Sequence, residues 1–281
     1  MAKPILKWVG GKTQLLGELL PLIEPYLEGH RYYEPFAGGA AVAFALGREG
    51  AVLGDLNSEL IQLYEVVRDD PDGLLADLEE HRLRHSPRWY YMIRDLDRNG
   101  NLAQLSKRCK AARTIYLNKT CFNGLYRVNS KGQFNSPLGR TSSGSAPNIV
   151  DRDGIMAASA FLKGVELRNV GYEECVADAK AGDVVYFDPP YDKGDEIGTD
   201  GFVGYQKDGW SRDDLARLKS TCDSLVAKGC RVVVSNNDTE FVRSLFHGYE
   251  IRSVSARRSV NRDGNSRNSG KEVVIIGIPT V

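Results

Sequence analysis

The apolar run Val184-Val185-Tyr186-Phe187 stops at Asp188-Pro189-Pro190-Tyr191, and that stop constrains the chain more than any other stretch. The β-branched and aromatic residues predict a buried strand. Neither proline can donate a backbone hydrogen bond, so the strand must end there and leave two bare carbonyls. A carboxylate and a free carbonyl held beside an aromatic ring suit a flat, amine-bearing ring. The two acceptors can take both N–H bonds of an exocyclic –NH2 while Tyr191 stacks on the ring face. On these four residues alone, an ordinary proline-rich strand exit competes with that reading.

A second constraint lies upstream. A strand predicted to end near Glu34 runs into Pro35-Phe36-Ala37-Gly38-Gly39, and a small-residue helix starts near Ala40. Strand, glycine turn and helix form the front of a nucleotide-binding βαβ unit. The spacing is not G-x-G-x-x-G, which disfavours a nicotinamide or flavin. The second strand, Ala51 to Gly54, ends at Asp55, where a carboxylate can accept from both ribose hydroxyls of an adenosine-bearing ligand. Gly11-Lys12-Thr13 invites a phosphate-loop reading, but that loop needs a glycine where Leu6 stands. What remains is a Gly-Gly turn flanked by Trp8 and Lys12, followed by a helix from Gln14 to about Ile23.

After the second strand the α/β pattern is interrupted. Helices are predicted from Ser58 to about Arg68, from Asp72 to about His85, from Trp89 to Asp97 and from Leu102 to Leu117. Residues 81–140 carry thirteen Lys and Arg against only Asp95 and Asp97, although the whole chain has a net charge of zero. Such a bipolar distribution is the footprint of phosphate-backbone binding, against the plainer reading of a solvated face. Asn123-Gly124 and Lys131-Gly132 bound alternating residues that predict a small β-ribbon or looped hairpin. Its Asn123, Asn129 and Arg127 are side chains that pair with base edges. Thr141–Asn148 reads as a loop.

The pattern then resumes: a helix at Gly154–Leu162, a strand at Val165–Val170, and the opening motif. Asp192–Gly209, with Phe202 and Tyr205, reads as a lid over a pocket. Ser211 caps a helix reaching about Lys228. A strand at Arg231–Val234, a short helix at Glu240–Phe246 and a last strand pair, Tyr249–Val254 and Glu272–Ile278, follow. Between the last two lies a basic loop containing Arg257 and Arg258. The five scattered cysteines include no C-x-x-C pair, so neither a zinc site nor a disulfide framework is expected. No run of roughly 20 apolar residues and no secretory h-region is visible. These features predict a cytoplasmic protein.

Ligands of doubly wound sheets bind beyond the carboxyl ends of the strands, so the glycine turn, Asp55 and Asp188 are expected on one edge. Joined with a basic insert, they imply group transfer to an amino group on a nucleobase. At these residues the chain resembles the DNA adenine-N6 methyltransferase family of the Dam type, the D12 class. Lys7-Trp8-Val9-Gly10-Gly11-Lys12 is similar to its N-terminal motif, Glu34 through Gly39 to its cofactor glycine motif, and Asp188-Pro189-Pro190-Tyr191 to its catalytic motif. Thr120 through Gly139 is similar to its recognition hairpin, and Arg257 through Glu272 to its late loop. One departure is Gly171-Tyr172, where many members carry an acid before the aromatic.

The resemblance implies an α/β fold, with a Rossmann-like methyltransferase sheet, mostly parallel and ending in an antiparallel strand. Residues 1–60 and 150–281 would form the catalytic domain, and 61–149 an inserted helical and hairpin DNA-recognition domain. Asp188, Pro189, Pro190 and Tyr191 would be catalytic. Trp8, Lys12, Phe36, Gly38, Gly39, Asp55, Tyr172 and Asp188 would bind S-adenosyl-L-methionine, with no metal. Lys7, Asn123, Leu125, Arg127, Pro137, Arg257 and Arg258 would meet double-stranded DNA, at a short G-A-T-C-like site. The target base would be flipped out of the duplex, since its amine is out of reach inside it. The resemblance is compatible with a solitary enzyme and with one beside a cognate restriction endonuclease, in a bacterium or an infecting phage, and the enzyme would be a monomer or weak dimer. Cytosine N4 as the acceptor and a catalytically silent DNA-binding regulator are the competing readings.

Overall fold

Two prolines set the centre of the fold. In a computed structural model describing residues 2–139, 147–194, 210–255 and 271–279, seven strands are present among the described residues. They are β1 (Tyr32–Glu34), β2 (Val52–Gly54), β3 (Glu166–Arg168), β4 (Val184–Phe187), β5 (Arg231–Asn237), β6 (Glu250–Ser255) and β7 (Lys271–Gly277). β1 ends at Pro35 and β4 just before Pro189, and the two strands are parallel neighbours, with Tyr33 opposite Val185. Each strand thus exits through an acid and a proline, Glu34-Pro35 and Asp188-Pro189, because proline cannot extend the ladder.

The described chain divides into two compact units. The first comprises Met1–Gly11, Gly38–Glu49 and Asp55–Asn169, and the second Lys12–Ala37, Gly50–Gly54 and Val170–Val281. In the second unit six strands follow the order β2-β1-β4-β5-β7-β6. β1, β2, β4 and β5 pair in parallel, while β7, last in the chain, runs antiparallel between β5 and β6. The expected mostly parallel sheet with a final antiparallel strand is present. The strand order reverses between β1 and β4, which makes their carboxyl ends the topological switch point where ligands bind in such sheets. β4 is buried at all four positions. The helix Arg212–Ala227 lays Leu215, Leu218, Cys222 and Leu225 into the core formed with Val185, Phe187, Val232 and Val234. Ser211 caps it with a reciprocal Asp214 bond, as its position before an apolar-periodic run predicts.

The first unit is mainly helical: Ala41–Leu46, Ser58–Asp69, Pro71–Arg84, Pro87–Arg94, Asn101–Gln104, Lys107–Thr120 and Arg152–Leu162. Lys107–Thr120 is its centre, buried from Ala111 through Leu117. The single helix expected over Leu102–Leu117 is broken in two. Ser106 turns its side chain onto the Cys109 N–H, capping a new helix in place of continuing the first. The hairpin after Thr120 has only the isolated bridges Cys121–Leu138 and Val128–Phe134, with a 3-10 turn at Phe122–Gly124, so it is a looped hairpin and not a ribbon. No helix among the described residues is long and apolar enough to cross a membrane.

Candidate active site

At the β4 exit the second unit assembles an acceptor, a cation and a ring. Asp188 Oδ1 stands 2.8 Å from the ammonium of Lys12, which is itself 7 % exposed. That ion pair is the one contact of the buried Oδ1 with a donor among the described residues. Lys12 Nζ also lies 4.8 Å from the centroid of the Tyr191 ring. Tyr191 is tethered from its far end, its hydroxyl donating to Glu272 Oε2 on β7 at 3.0 Å. Burial pushes the Asp188 carboxyl above the usual carboxylate range, Lys12 opposes that shift, and the Glu272 charge adds to it. Burial also raises Tyr191 and Tyr186 far above a free phenol, so both remain hydroxyl donors.

Asp192, which the sequence reading left inside a lid, is the anchor of this exit. Its N–H donates to Asn236 Oδ1 (3.0 Å), and its carbonyl accepts from Asn237 Nδ2 (2.5 Å). Its Oδ2 accepts from Thr239 Oγ1 (2.7 Å) and its Oδ1 from Arg212 Nε (3.2 Å). All four of its polar groups are engaged, three of them by the last two residues of β5 and by Thr239 just beyond it. The adjacent strand exits are thereby tied together, which fixes the direction in which Asp188 and Tyr191 point.

Phe36 and Tyr172, both expected at the cofactor, do come together: their rings stack 5.4 Å apart at 24°. Trp210 joins them, edge-on to Phe36 at 5.6 Å, and its buried Nε1 has no hydrogen-bond partner among the described residues. Sequence reasoning missed Trp210, although an aromatic directly before the Ser211 cap was a usable signal.

In the first unit, Trp8, Gly38, Gly39 and Asp55 also meet. Gly38 has φ +46°, and a Cβ there would sit 2.8 Å from the Trp8 ring, so only glycine lets the ring and the turn approach. Asp55 holds the turn, accepting from the Gly38 N–H through Oδ2 (3.0 Å) and from the Asn57 N–H through Oδ1 (2.8 Å). Each oxygen retains a further lone pair for a ribose hydroxyl. Trp8 stacks on Tyr126 at 5.3 Å.

The hairpin is clamped to the N-terminal segment. Buried Asn118 bonds both backbone groups of Lys7 and the carbonyl of Gly124. Gly124 (φ +67°) lies so close to the Lys7 side chain that a Cβ would collide with it. Lys7, Asn123 and Pro137 are exposed, and Leu125 and Arg127 half-buried, with Arg127 bonded to Asn135 Oδ1 at 2.6 Å. Phe122, not singled out from sequence, is 52 % exposed at the same turn, an aromatic face open for stacking. The basic character of residues 81–140 needs correction. Of the twelve cations among the described residues, seven are ion-paired within the unit: Arg82, Arg84, Arg94, Arg98, Lys107, Arg108 and Arg113. Most of their acids lie just before residue 81 or at Asp95 and Asp97. Arg113 is a structural residue, 3 % exposed and bonded to the Ile93 and Arg94 carbonyls and to Asp97. Arg140, Arg257, Arg258, Phe202, Tyr205 and most of the loop from Thr141 to Asn148 lie outside the described residues.

A mostly parallel sheet whose switch point carries a largely buried carboxylate and a tethered ring defines an α/β transferase class suited to an exocyclic amine. Residues 8–260 match the family described as D12 class N6 adenine-specific DNA methyltransferase. The chain is 37 % identical to the type II methyltransferase M1.LlaDCHI of Lactococcus lactis subsp. cremoris, over 97 % of this chain and 94 % of that protein. It is 37 % identical to the type II methyltransferase M.MjaIII of Methanocaldococcus jannaschii, over 95 % and 96 %, and 28 % identical to a DNA adenine methylase of Vibrio cholerae, over 99 % and 96 %. The chain belongs to the D12 class N6 adenine-specific DNA methyltransferases. It is therefore a site-specific DNA adenine methyltransferase, and the cytosine and silent-regulator readings give way.

Proposed function

We propose that the enzyme methylates N6 of an adenine flipped out of duplex DNA, using S-adenosylmethionine, with Asp188 Oδ1 and the Pro189 carbonyl receiving the amine. The observation that carries this reading is the Asp188 Oδ1 acceptor, buried at the β4 exit beside the Lys12 ammonium and the tethered Tyr191 ring. S-adenosylmethionine supplies, when bound, an electrophilic methyl group on a sulfonium. The residues present suit an adenosine-bearing molecule. The second unit offers the stacked Phe36 and Tyr172 rings and the orphaned Trp210 Nε1 donor, together with Lys12 and Asp188. The first offers the glycine turn at Gly38-Gly39, the Asp55 carboxylate and Trp8.

The protein groups then work by position and electrostatics. Two acceptors on the N6 hydrogens fix the amine plane, leave the nitrogen lone pair unengaged, and draw electron density toward nitrogen. Asp188 need not be a strong base, because the methylated amine sheds its proton after transfer. Tyr191, with its hydroxyl held by Glu272, presents a rigid ring face to the flipped base. Lys7, Asn123, Leu125, Arg127 and Pro137 are proposed to approach the bases, and a short G-A-T-C-like palindrome is the proposed target. Exposed Phe122 is placed to stack on a base left unpaired. The two relatives named type II methyltransferases support a restriction endonuclease of matching specificity as a genetic partner.

The test is methyl transfer from labelled S-adenosylmethionine to duplex DNA, followed by mass analysis of the nucleosides and sequencing of the modified positions. N6-methyladenine should form, and Asp188→Ala should lower turnover by about 10²–10³-fold while DNA affinity is kept. Near-native turnover in that variant would overturn the reading.

A further inference from the structure

The Lys12 ammonium occupies two contacts that the proposed mechanism assigns to the substrate adenine, one to its amine and one to its ring. It is a nitrogen with hydrogens to donate, 2.8 Å from Asp188 Oδ1, and it lies 4.8 Å from the centroid of the Tyr191 ring. An adenine bound there would likewise donate from N6 to Asp188 and lie against Tyr191. A nearly buried lysine has a physical reason to be there. Without a cation, Asp188, Glu272 and the nearby Glu34 would form an acidic cluster in a low-dielectric site. Asp188 Oδ1 has no donor other than Lys12 among the described residues. Lys12 thus neutralises the site and fills its acceptor, and only an entering group that donates in its place leaves Asp188 satisfied.

We infer that Lys12 is an internal stand-in for the adenine amine, which an entering base must displace from Asp188 and from the face of Tyr191. The inference rests on the reading that Asp188 and Tyr191 receive the flipped adenine. Its consequence is a threshold on base entry. A base without a suitably placed amine exchanges a cation for nothing, so the lysine holds the site against it. An adenine exchanges one donor for another, so its amine adds little net affinity while Lys12 is present. Removing the ammonium should therefore make the amine worth more.

The experiment compares two duplexes containing the enzyme's own methylation site, one with adenine at the target and one with purine, which lacks only the 6-amino group. Dissociation constants are measured at saturating sinefungin, an unreactive analogue of the methyl donor, for the wild type, Lys12→Met, Lys12→Arg and Asp188→Ala, and for Lys12→Met combined with Asp188→Ala. The ratio of the purine to the adenine constant should rise about tenfold or more in Lys12→Met, the scale of a hydrogen bond to a charged acceptor. Lys12→Arg, which keeps a cation beside Asp188, should leave the ratio close to that of the wild type. A ratio in Lys12→Met that is unchanged or lower, while the adenine preference still depends on Asp188, overturns the stand-in role alone. An adenine preference indifferent to Asp188→Ala in both backgrounds overturns the acceptor reading itself, and the inference with it.

Discussion

Tyr191 donates its phenolic hydrogen to Glu272 at 3.0 Å, so the ring at the β4 exit is positioned by the last strand of the chain. Glu272 was read from sequence as the end of the late loop and the start of the last strand, with no role at the site. Its pairing opposite Asn237 on β5 carries its side chain to the switch point. One carboxylate thereby steadies the ring and raises the proton affinity of a second carboxylate, Asp188.

A pH profile follows from that coupling. Burial raises Asp188, so its accepting form is present above its shifted pKa and lost as pH falls through it, earlier than for an exposed aspartate. The acid limb of single-turnover methylation should move to higher pH in Lys12→Met, which removes the opposing cation. It should move to lower pH in Glu272→Gln, which removes the like charge and keeps an acceptor for Tyr191. Shifts in the opposite directions would contradict this arrangement. The same raised carboxyl makes ionised Asp188 a cost to folding above its unfolded pKa, relieved as pH falls through the folded pKa.

Asp192 should act as a positioning residue. Asp192→Ala releases the β4 exit from Asn236, Asn237, Thr239 and Arg212 only in part, since its backbone bonds remain. A misplacement of the order of 1 Å costs up to about 10²-fold in rate, so turnover should fall by about 10–100-fold with KM for DNA within about threefold. Asp192→Asn, which retains acceptors, should recover part of the loss. Steady-state kinetics beside circular dichroism checks this; a raised KM with unchanged turnover would argue against it.

Arg113 should matter to folding and not to DNA. Its guanidinium closes the carbonyl end of the helix Pro87–Arg94 and pairs with Asp97, both side chains being nearly buried. Arg113→Ala leaves Asp97 short of its buried partner and should cost about 3–5 kcal/mol. Urea unfolding reads the loss. The salt dependence of DNA binding should stay as in the wild type.

The salt slope of binding is the measure of the basic segment. Thirteen phosphate contacts would give a slope of log affinity against log salt of about −12. With seven of the cations internally paired, a slope of roughly −4 to −6 is expected. Exposed pairs are weak and can exchange partners, so a slope steeper than about −8 would show that DNA recruits them.

The elements were legible where the cause is local. Pro35, Pro189 and Pro190 end strands because of their own covalent structure, and Val184–Phe187 is the strand that its side chains demand. Ser211 caps a helix through residues three positions away. Even the split at Ser106 was within reach, since serine before a basic helical run is a capping signal. The hairpin was less legible, because its bonds are set by turn geometry around Asn123 and Gly124 and not by strand periodicity.

By itself the sequence determined which residues are chemically able to hold an amine, a ribose and a ring: Asp188, Asp55, Phe36, Tyr172 and Tyr191. Tertiary structure alone decided how they are held and charged. Sheet order places β1, β4, β5 and β7 side by side although they are scattered along the chain. That order brings Glu272 to Tyr191, and Asn236, Asn237 and Thr239 to Asp192, while the fold of the segment ahead of β1 brings Lys12 to Asp188. The same distinction applies to charge. Composition counts cations, but whether one faces phosphate or an internal acid depends on which helix packs beside it, and helix packing is not encoded in any single window of sequence.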